Sequence, residues 1–472
     1  MVARSVVVVG GGITGLTVAY ALRQHAGERV AVTVLEASPW IGGKLRVHEV
    51  GGLCLDAGAE SFLARRPEAV DLAREVGLGE DIVVPVTTRA QIWSRGGCHP
   101  LPVGQVMGVP ADLRALARTG VLSAVELARI PADAWLPRTR IDGDVAVGSY
   151  VGRRLGRAVV DRLVEPLLGG VYAGRAAHLS LAATVPALFA AARRERSLLR
   201  AARLVAASGP DAAAPAFVGL RGGVGRLPAA VAAASGAAIR IGATARELRR
   251  TPAGWWLTVG SARAPERVDA DAVVLAVPAA PASSLLAEVA PGPAAELGHV
   301  DYASVALVTY VLPRAAVGPL PPGSGLLVPP VEGRLVKAAT FATVKWDWLA
   351  ASAAREGAAV VRVSVGRHGE EAALRHDDAE LAGMALADLA ELVPVEGPPL
   401  DARVTRWGGS LPQYAVGHLA RVGRVRAGLA GYPTLALAGA AYDGVGIPAC
   451  VASGRAAADR VLRALGLGLG EE

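Results

Sequence analysis

Four valines run from Val6 to Val9 into Gly10-Gly-Gly-Ile-Thr-Gly15, and the glycines at 10, 12 and 15 fit the spacing G-x-G-x-x-G. Each glycine has its own task. Gly10 permits a tight turn out of a strand, Gly12 lets backbone amides approach a pyrophosphate, and Gly15 lets the next helix pack close to the strand. Gly11, Ile13 and Thr14 complete the loop. A pyrophosphate there meets free N–H groups and the positive end of a helix dipole. Val30 to Leu35 reads as a second strand ending at Glu36, an acid placed to bind the ribose hydroxyls of an adenosine.

The elements that must hold this loop also narrow the dinucleotide. Gly42-Gly43-Lys44 follows six residues after Glu36, and Leu55-Asp-Ala-Gly-Ala-Glu-Ser61 comes next. A nicotinamide dinucleotide has no need of a second glycine pair here, whereas FAD extends past its pyrophosphate and requires close backbone approach. No arginine directly follows Glu36, which argues against a 2′-phosphate. Near the other end, Thr434 to Ala438 reads as a buried strand. It is followed by glycines 439, 444 and 446 and by Pro448 in the first turn of a helix reaching about Leu465. These features indicate FAD.

The 472 residues suffice for two or three domains. No run of eighteen apolar residues is present; the best candidate, Ala272 to Ala290, is interrupted by Pro278 and Pro281. A cytoplasmic protein with at most peripheral membrane contact is expected. Three scattered cysteines (54, 98 and 450) and eight dispersed histidines indicate neither a disulfide framework nor a metal site. Lysine occurs only at 44, 337 and 345, so nearly all basic residues are arginine. Residues 105–212 hold fifteen arginines against nine acids, or +6 of the chain's net +7. Such a field suits an acidic small molecule, an anionic surface or an acidic partner. No basic stripe with interleaved aromatics suggests nucleic acid.

The expected class is α/β: a discontinuous Rossmann-like FAD-binding domain (1–66, 213–280 and 405–472), a mixed-sheet substrate-binding domain (67–104 and 281–404) and an α-helical insertion (105–212). In the insertion, Leu113, Leu116, Ala117, Leu122, Val125 and Leu127 carry helical periodicity without a strand signal. Strands are expected at 238–241, 255–259, 272–278, 305–311 and 360–365, and a helix near 377–392.

Several further motifs resemble the protoporphyrinogen/coproporphyrinogen oxidases: the N-terminal glycine loop, Glu36-Ala-Ser-Pro, Gly42-Gly-Lys and Glu165-Pro-Leu-Leu-Gly-Gly-Val-Tyr-Ala-Gly174. So do Val404-Thr-Arg-Trp407, Leu411-Pro-Gln-Tyr-Ala-Val-Gly-His418 and Gly444-Val-Gly-Ile-Pro448. The resemblance spans the chain, and its 165–174 and 407–418 segments are the most specific. Within the family the chain looks like the soluble Gram-positive and actinobacterial branch, associated with coproporphyrinogen III. By this resemblance the pyrophosphate loop is Gly10–Gly15 and the ribose acid Glu36, with Ala37 beside it. Gly43 and Lys44 belong to the second glycine segment, and Gly58, Ala59, Glu60 and Ser61 line the flavin. Ala245 offers a backbone contact to adenine, while Trp407, Gly446, Ile447 and Pro448 close over the isoalloxazine. Arg66, Val171, Tyr172 and Gly174 are the substrate-side residues. Two positions depart from the pattern: Ala59 stands where many members have proline, and Arg175 where many have aspartate.

The resemblance implies six-electron oxidation of a porphyrinogen in three flavin-mediated steps, with O2 as acceptor and H2O2 as product. Neither a Ser–His–Asp set, a Cys–His pair nor a carboxylate dyad is apparent, and no catalytic base is assigned; Tyr414 and His418 read as packing or pocket-lining residues. An arginine-rich pocket suits coproporphyrinogen III, with four propionates, better than protoporphyrinogen IX, with two. A protoporphyrinogen IX oxidase is the alternative, and a transient contact with a downstream ferrochelatase is left open. Amine oxidases need an aromatic cage that four Phe and eight Tyr supply poorly, and polyene desaturases do not need the arginine excess. A flavin- or porphyrin-binding carrier without turnover is a further reading.

Overall fold

A computed structural model describes residues 3–208 and 215–468. The expected boundary at 212/213 and the terminal residues 469–472 lie outside the described residues.

The first strand, Arg4–Val9, lies at the centre of a five-stranded parallel sheet. Its neighbours are Val30–Leu35, flanked by Ala238–Arg240, and Ala272–Leu275, flanked by Leu435–Leu437. Both faces are covered, which is why its strands read as unbroken apolar runs. Val6 and Val8 pack with the helices Ile13–Ala26 and Ile447–Ala464. Val7 and Val9 face Trp255, Leu257 and the helices Ala279–Leu286, Pro291–Gly298 and His418–Gly428. An antiparallel meander (245–251, 254–261, 264–270) forms part of that second layer.

The larger sheet has seven strands, in the order 401–412, 302–313, 358–365, 336–341, 325–327, 91–94 and 97–100. One face packs on the helix Asp378–Ala390 through Tyr310, Phe341, Val361 and Leu381. Several segments lie apart from the expected boundaries. The helix Pro67–Glu75 packs beside Ile13, Leu16 and Val451, in the core of the half built on the five-stranded sheet. The helices 279–286 and 291–298 also belong to that half. Conversely, the strand Asp401–Pro412 crosses position 405 and pairs with Tyr302–Pro313 in the seven-stranded sheet. An amphipathic helix records in its sequence that it buries a face, not which sheet it buries it against.

The insertion contains short helices around a core of Leu116, Ile130, Tyr150, Leu163 and Leu188. Two departures from the sequence pattern occur there. A short antiparallel pair, Gln105–Val106 with Val109–Pro110, is present, and Val125 is 82% exposed. The expected helical stripe breaks because Gly120 ends the helix Leu113–Thr119 in the left-handed region and Ser123 caps a new one, Ala124–Arg129. Ile130 then takes the buried place.

Arg154 and Asp133 lie in this core, 1% and 0% exposed. Arg154 Nε donates to Asp133 Oδ1 at 2.5 Å, and its remaining nitrogens donate to the carbonyls of Asp133, Pro137 and Arg196 at 2.7 Å. Asp133 also accepts from Ser197 Oγ and Leu199 N. Removing one member of such a pair leaves the other charge buried without a counterion. Arg154→Ala should therefore lower unfolding free energy by about 3–5 kcal/mol in urea titration; a change below about 1 kcal/mol would show the pair to be replaceable by water.

Candidate functional site

The first strand delivers Gly10 with φ +109°, and a Cβ there would stand 2.5 Å from the Ala276 carbonyl oxygen. A Cβ at Gly15 would lie 1.9 Å from the Gly10 oxygen, so helix and loop touch only because residue 15 has no side chain. Gly12 differs: a Cβ there would meet no atom within 4 Å, so this side of the loop borders open space. The helix beginning at Ile13 has no side-chain cap on its first amides, and neither does the helix beginning at Ile447. The two helices pack together, with Gly454 facing the Thr14 carbonyl, where a Cβ would stand 2.7 Å away. Ile13 and Ile447 share one apolar cluster, which keeps the two uncapped ends as neighbours.

Glu36 ends the second strand with both carboxylate oxygens engaged: Gly11 N–H donates to Oε2 at 2.7 Å and Ser38 N–H to Oε1 at 2.8 Å. Each oxygen retains further acceptor capacity for a ribose hydroxyl. Ala37 is exposed beside it. Ala243 N–H donates to the Glu36 carbonyl, which brings the Ala245 strand alongside, two residues on. Gly42 N–H donates to the Gly11 carbonyl at 2.8 Å, so the second glycine segment lies against the first. A Cβ at Gly43 would sit 3.3 Å from Gly12 Cα. Lys44, half-buried, has its ammonium pushed below the ordinary lysine range by burial, with the nearby Cys450 acting in the opposite sense.

The segment Gly58–Ser61 is fixed from the far sheet. A Cβ at Gly58 would lie 1.9 Å from the Lys44 oxygen and 3.3 Å from the Trp407 ring. Trp407 Nε1 donates to the Ala57 carbonyl at 2.9 Å. Arg362 donates to the Gly58 carbonyl at 2.7 Å and to Glu60 at 2.6 Å, and Lys345 Nζ donates to Glu60 at 2.5 Å. Burial alone would raise the Glu60 carboxyl; the charges and hydrogen bonds of Lys345 and Arg362 hold it down at about 2. Glu60 thus serves as a buried anchor, while Ala59 is exposed and Ser61 half-buried. Behind the loop, Asp56 accepts from Val224 N and Gly225 N at 3.0 and 2.9 Å, yet burial pushes its carboxyl up to about 6. The sequence reading missed Lys345, Arg362 and Asp56.

The substrate-side residues fall in two places. Tyr172 is buried, its ring 5.6 Å from that of Tyr414, and Gln413 Nε2 donates to its carbonyl at 2.8 Å. Val171 is 43% exposed, and Ala173 adopts φ +50°, turning the chain at the helix end. A Cβ at Gly174 would lie 2.2 Å from Gln413 Oε1. Ala173 shares a small cluster with Val305, Trp407 and Leu411, so this segment adjoins the tryptophan. Arg66 stands elsewhere, half-buried at the start of the helix Pro67–Glu75 and paired with Glu68 at 2.6 Å. Among the described residues no hydrogen bond or ion pair joins it to 171–174. Arg175 forms an ion pair with Glu370.

Tyr414 and His418 pack in the core and are placed for no proton transfer. His418 is fully enclosed, stacks on Tyr414 at 4.1 Å, and burial together with the Arg421 charge holds its imidazole down at about 4. Tyr414 donates its hydroxyl to the Ala440 carbonyl, and burial raises it beyond the ordinary phenol range. Burial likewise pushes Tyr172 up to about 12. The open side of Gly12, the paired uncapped helix ends and the acid at 36 fit a dinucleotide in which the adenosine lies toward Glu36 and the remainder toward Lys44 and Trp407.

Residues 13–462 match the family model of flavin containing amine oxidoreductase. The chain is 38% identical to coproporphyrinogen III oxidase of Mycobacterium tuberculosis, over 98% of this chain and 99% of that one. It is 31% identical to coproporphyrinogen III oxidase of Bacillus subtilis, over 97% and 98%. A solved structure from Exiguobacterium sp. 255-15 superposes with a TM-score of 0.84 at 32% identity, covering 98% of this chain and 99% of that one.

Gly15→Ala should place a methyl group against the Gly10 oxygen and yield protein with little bound flavin, read as a lost absorbance near 450 nm with helical circular dichroism retained; full flavin occupancy would show that the loop yields. Asp56 supplies a pH dependence. Its folded pKa of about 6 lies above the ordinary 3.8, so the protonated form favours folding and ionisation costs stability as pH rises through this window. Asp56→Asn should gain about 2–3 kcal/mol on wild type between pH 4 and 7 in denaturant titration; a constant difference would refute the assignment.

Proposed function

The chain belongs to the flavin-containing amine oxidoreductases, and from that premise we propose an FAD-dependent oxidation of coproporphyrinogen III to coproporphyrin III in haem biosynthesis, with O2 reduced to H2O2. The observation that carries this reading is the end-to-end match, over 97–98% of the chain, to two relatives named for that substrate. The pairing of Val171–Gly174 with Gln413, Tyr414 and Trp407 supports it, because the two most specific sequence segments meet there.

In this proposal the Gly10–Gly15 loop holds the FAD pyrophosphate, with Gly11, Gly12 and Thr14 presenting backbone, and Glu36 holds the ribose. Ala245 backbone meets the adenine. Gly43 and Lys44 approach the ribityl chain, Gly58–Ser61 line the flavin, and Trp407, Gly446, Ile447 and Pro448 close over the isoalloxazine. Arg66, Val171, Tyr172 and Gly174 meet the porphyrinogen. Bound FAD supplies the two-electron acceptor, used three times because six hydrogens leave each porphyrinogen. The chain supplies position: the Glu60 ion pairs fix the 57–61 loop, Trp407 is tied to Ala57, and the 411–414 segment braces 171–174. No side chain is assigned as proton acceptor, since His418, Tyr414 and Tyr172 are each held out of that role. A cytoplasmic location and a transient contact with a ferrochelatase, which uses the porphyrin product, complete the proposal. Among the described residues no helix is long and apolar enough to cross a membrane.

Steady-state oxidation of coproporphyrinogen III and protoporphyrinogen IX, followed by porphyrin fluorescence, should give the higher kcat/KM for coproporphyrinogen III. The reverse order would assign the protein to protoporphyrinogen IX.

A further inference from the structure

Arginines of the 105–212 region are extensively engaged within the protein. Arg154 is buried on Asp133, Arg162 pairs with Glu332, Arg157 with Asp161, Arg175 with Glu370, and Arg203 donates to the Ala111 carbonyl. Two cations elsewhere are placed differently. Lys337, on the strand Val336–Phe341, and Arg367, just beyond the strand Ala358–Val365, are only 7% and 8% exposed. Arg367 donates to the carbonyls of Val328 at 3.1 Å and Arg334 at 3.4 Å and, among the described residues, to no carboxylate. Val328 N–H donates to the Lys337 carbonyl, so the two cationic residues flank one backbone position. Among the described residues Lys337 Nζ has no hydrogen-bond acceptor and no ion-pair partner, and the nitrogen itself is not fully enclosed.

Among the described residues no acid is hydrogen-bonded or ion-paired to either cation, although Glu165 and Asp388 act on Arg367 from a distance. Asp388 is held by Arg334 and by Val336 N–H, and Glu370 by Arg175. Glu165 is buried, accepts from Ala176 N–H through one oxygen only, and has its carboxyl raised by burial. Keeping an ammonium and a guanidinium this deeply buried without a hydrogen-bonded counterion is costly unless an anion joins them or the ammonium gives up its proton. The pair also adjoins the expected substrate segment. His368, next to Arg367, donates its N–H to the Ala173 carbonyl at 2.7 Å, and a Cβ at Gly170 would lie 3.7 Å from Leu327, beside Val328.

We infer that Lys337 and Arg367 together receive one carboxylate of the substrate, seated beside Val171–Gly174. This rests on the porphyrinogen reading and gives it a residue-level basis for acid recognition: a compact ammonium and a forked guanidinium converge on one carboxylate. Burial, and then the Arg367 charge, hold the Lys337 ammonium down at about 7. The charge that attracts the anion is therefore lost in the free protein as pH rises through that value. Arg175 acts with burial to lower Arg367, while Glu165 and Asp388 act to raise it.

The test uses flavin-loaded Lys337→Met, with coproporphyrin III and its tetramethyl ester as non-reacting probes, in fluorescence titrations from pH 6 to 8.5. At pH 6.5 the variant should bind coproporphyrin III about tenfold more weakly than wild type, with ester binding unchanged. Wild-type affinity for the acid should fall across the pH range while that of the variant stays flat. Without ligand the variant should melt no lower than wild type, since it loses an unpaired buried charge, and the wild-type pH profile tests the seat independently of any variant. Equal affinity of both proteins for the acid at every pH, with wild type still oxidising coproporphyrinogen III, overturns the inference and leaves the proposed function intact. Wild type that neither binds coproporphyrin III nor oxidises its porphyrinogen overturns both. Stabilisation of wild type but not the variant by acetate or phosphate, with equal coproporphyrin binding, assigns the pair to a free anion and overturns the inference.

Discussion

Glu60 ties the two halves of the molecule together at the place where chemistry is proposed. It leaves the nucleotide-binding side on the loop after the strand Leu53–Asp56 and meets Lys345 and Arg362 from the seven-stranded-sheet side. All three side chains are at most 15% exposed, and Arg362 also holds the Gly58 carbonyl. Two cations on one carboxylate leave a positive excess, and Asp56 stands near enough for Arg362 to pull its carboxyl down against the larger effect of burial. Such a set stabilises little beyond what apolar replacements would give, but breaking it is costly, so it fixes geometry more than it adds stability. Trp407 and the Lys44 carbonyl pack directly on the loop that it fixes.

The nucleotide-binding half was legible in the sequence because its constraints are local. The turn at Gly10, the contact of Gly15 with the Gly10 oxygen, and the acid at the end of the second strand all lie within 27 residues of one another in the motif's own spacing. The acid anchor was not legible, because Glu60 finds its partners 285 and 302 residues away. One signal was present: Arg362 interrupts the apolar strand Ala358–Val365, and Lys337 interrupts Val336–Phe341. A charge inside an otherwise buried strand calls for a partner, from the protein or from a ligand, though the strand cannot say which. The stripe through Val125 misled because a glycine and a serine cap divide it into two helices with different faces.

The arginine excess also changes meaning. As a composition it suggested a pocket for an acidic substrate; in the fold, Arg154, Arg162 and Arg203 hold the insertion together and to its neighbours. Two buried cations without carboxylate partners among the described residues, Lys337 and Arg367, come instead from a strand of the seven-stranded sheet and from just beyond its neighbour. On the inference drawn above, recognition of acid substituents is separated from bulk charge, which sets only the long-range field.

The central claim, that this protein removes hydrogen from a porphyrinogen through its flavin, is tested most directly by anaerobic titration of the purified yellow protein with coproporphyrinogen III. The account predicts that the flavin absorbance bleaches as coproporphyrin fluorescence appears, one porphyrin for every three flavins reduced, and that admitting O2 restores the yellow colour with formation of H2O2. Flavin that stays oxidised while bound to the porphyrinogen would contradict it and mark the protein as a carrier.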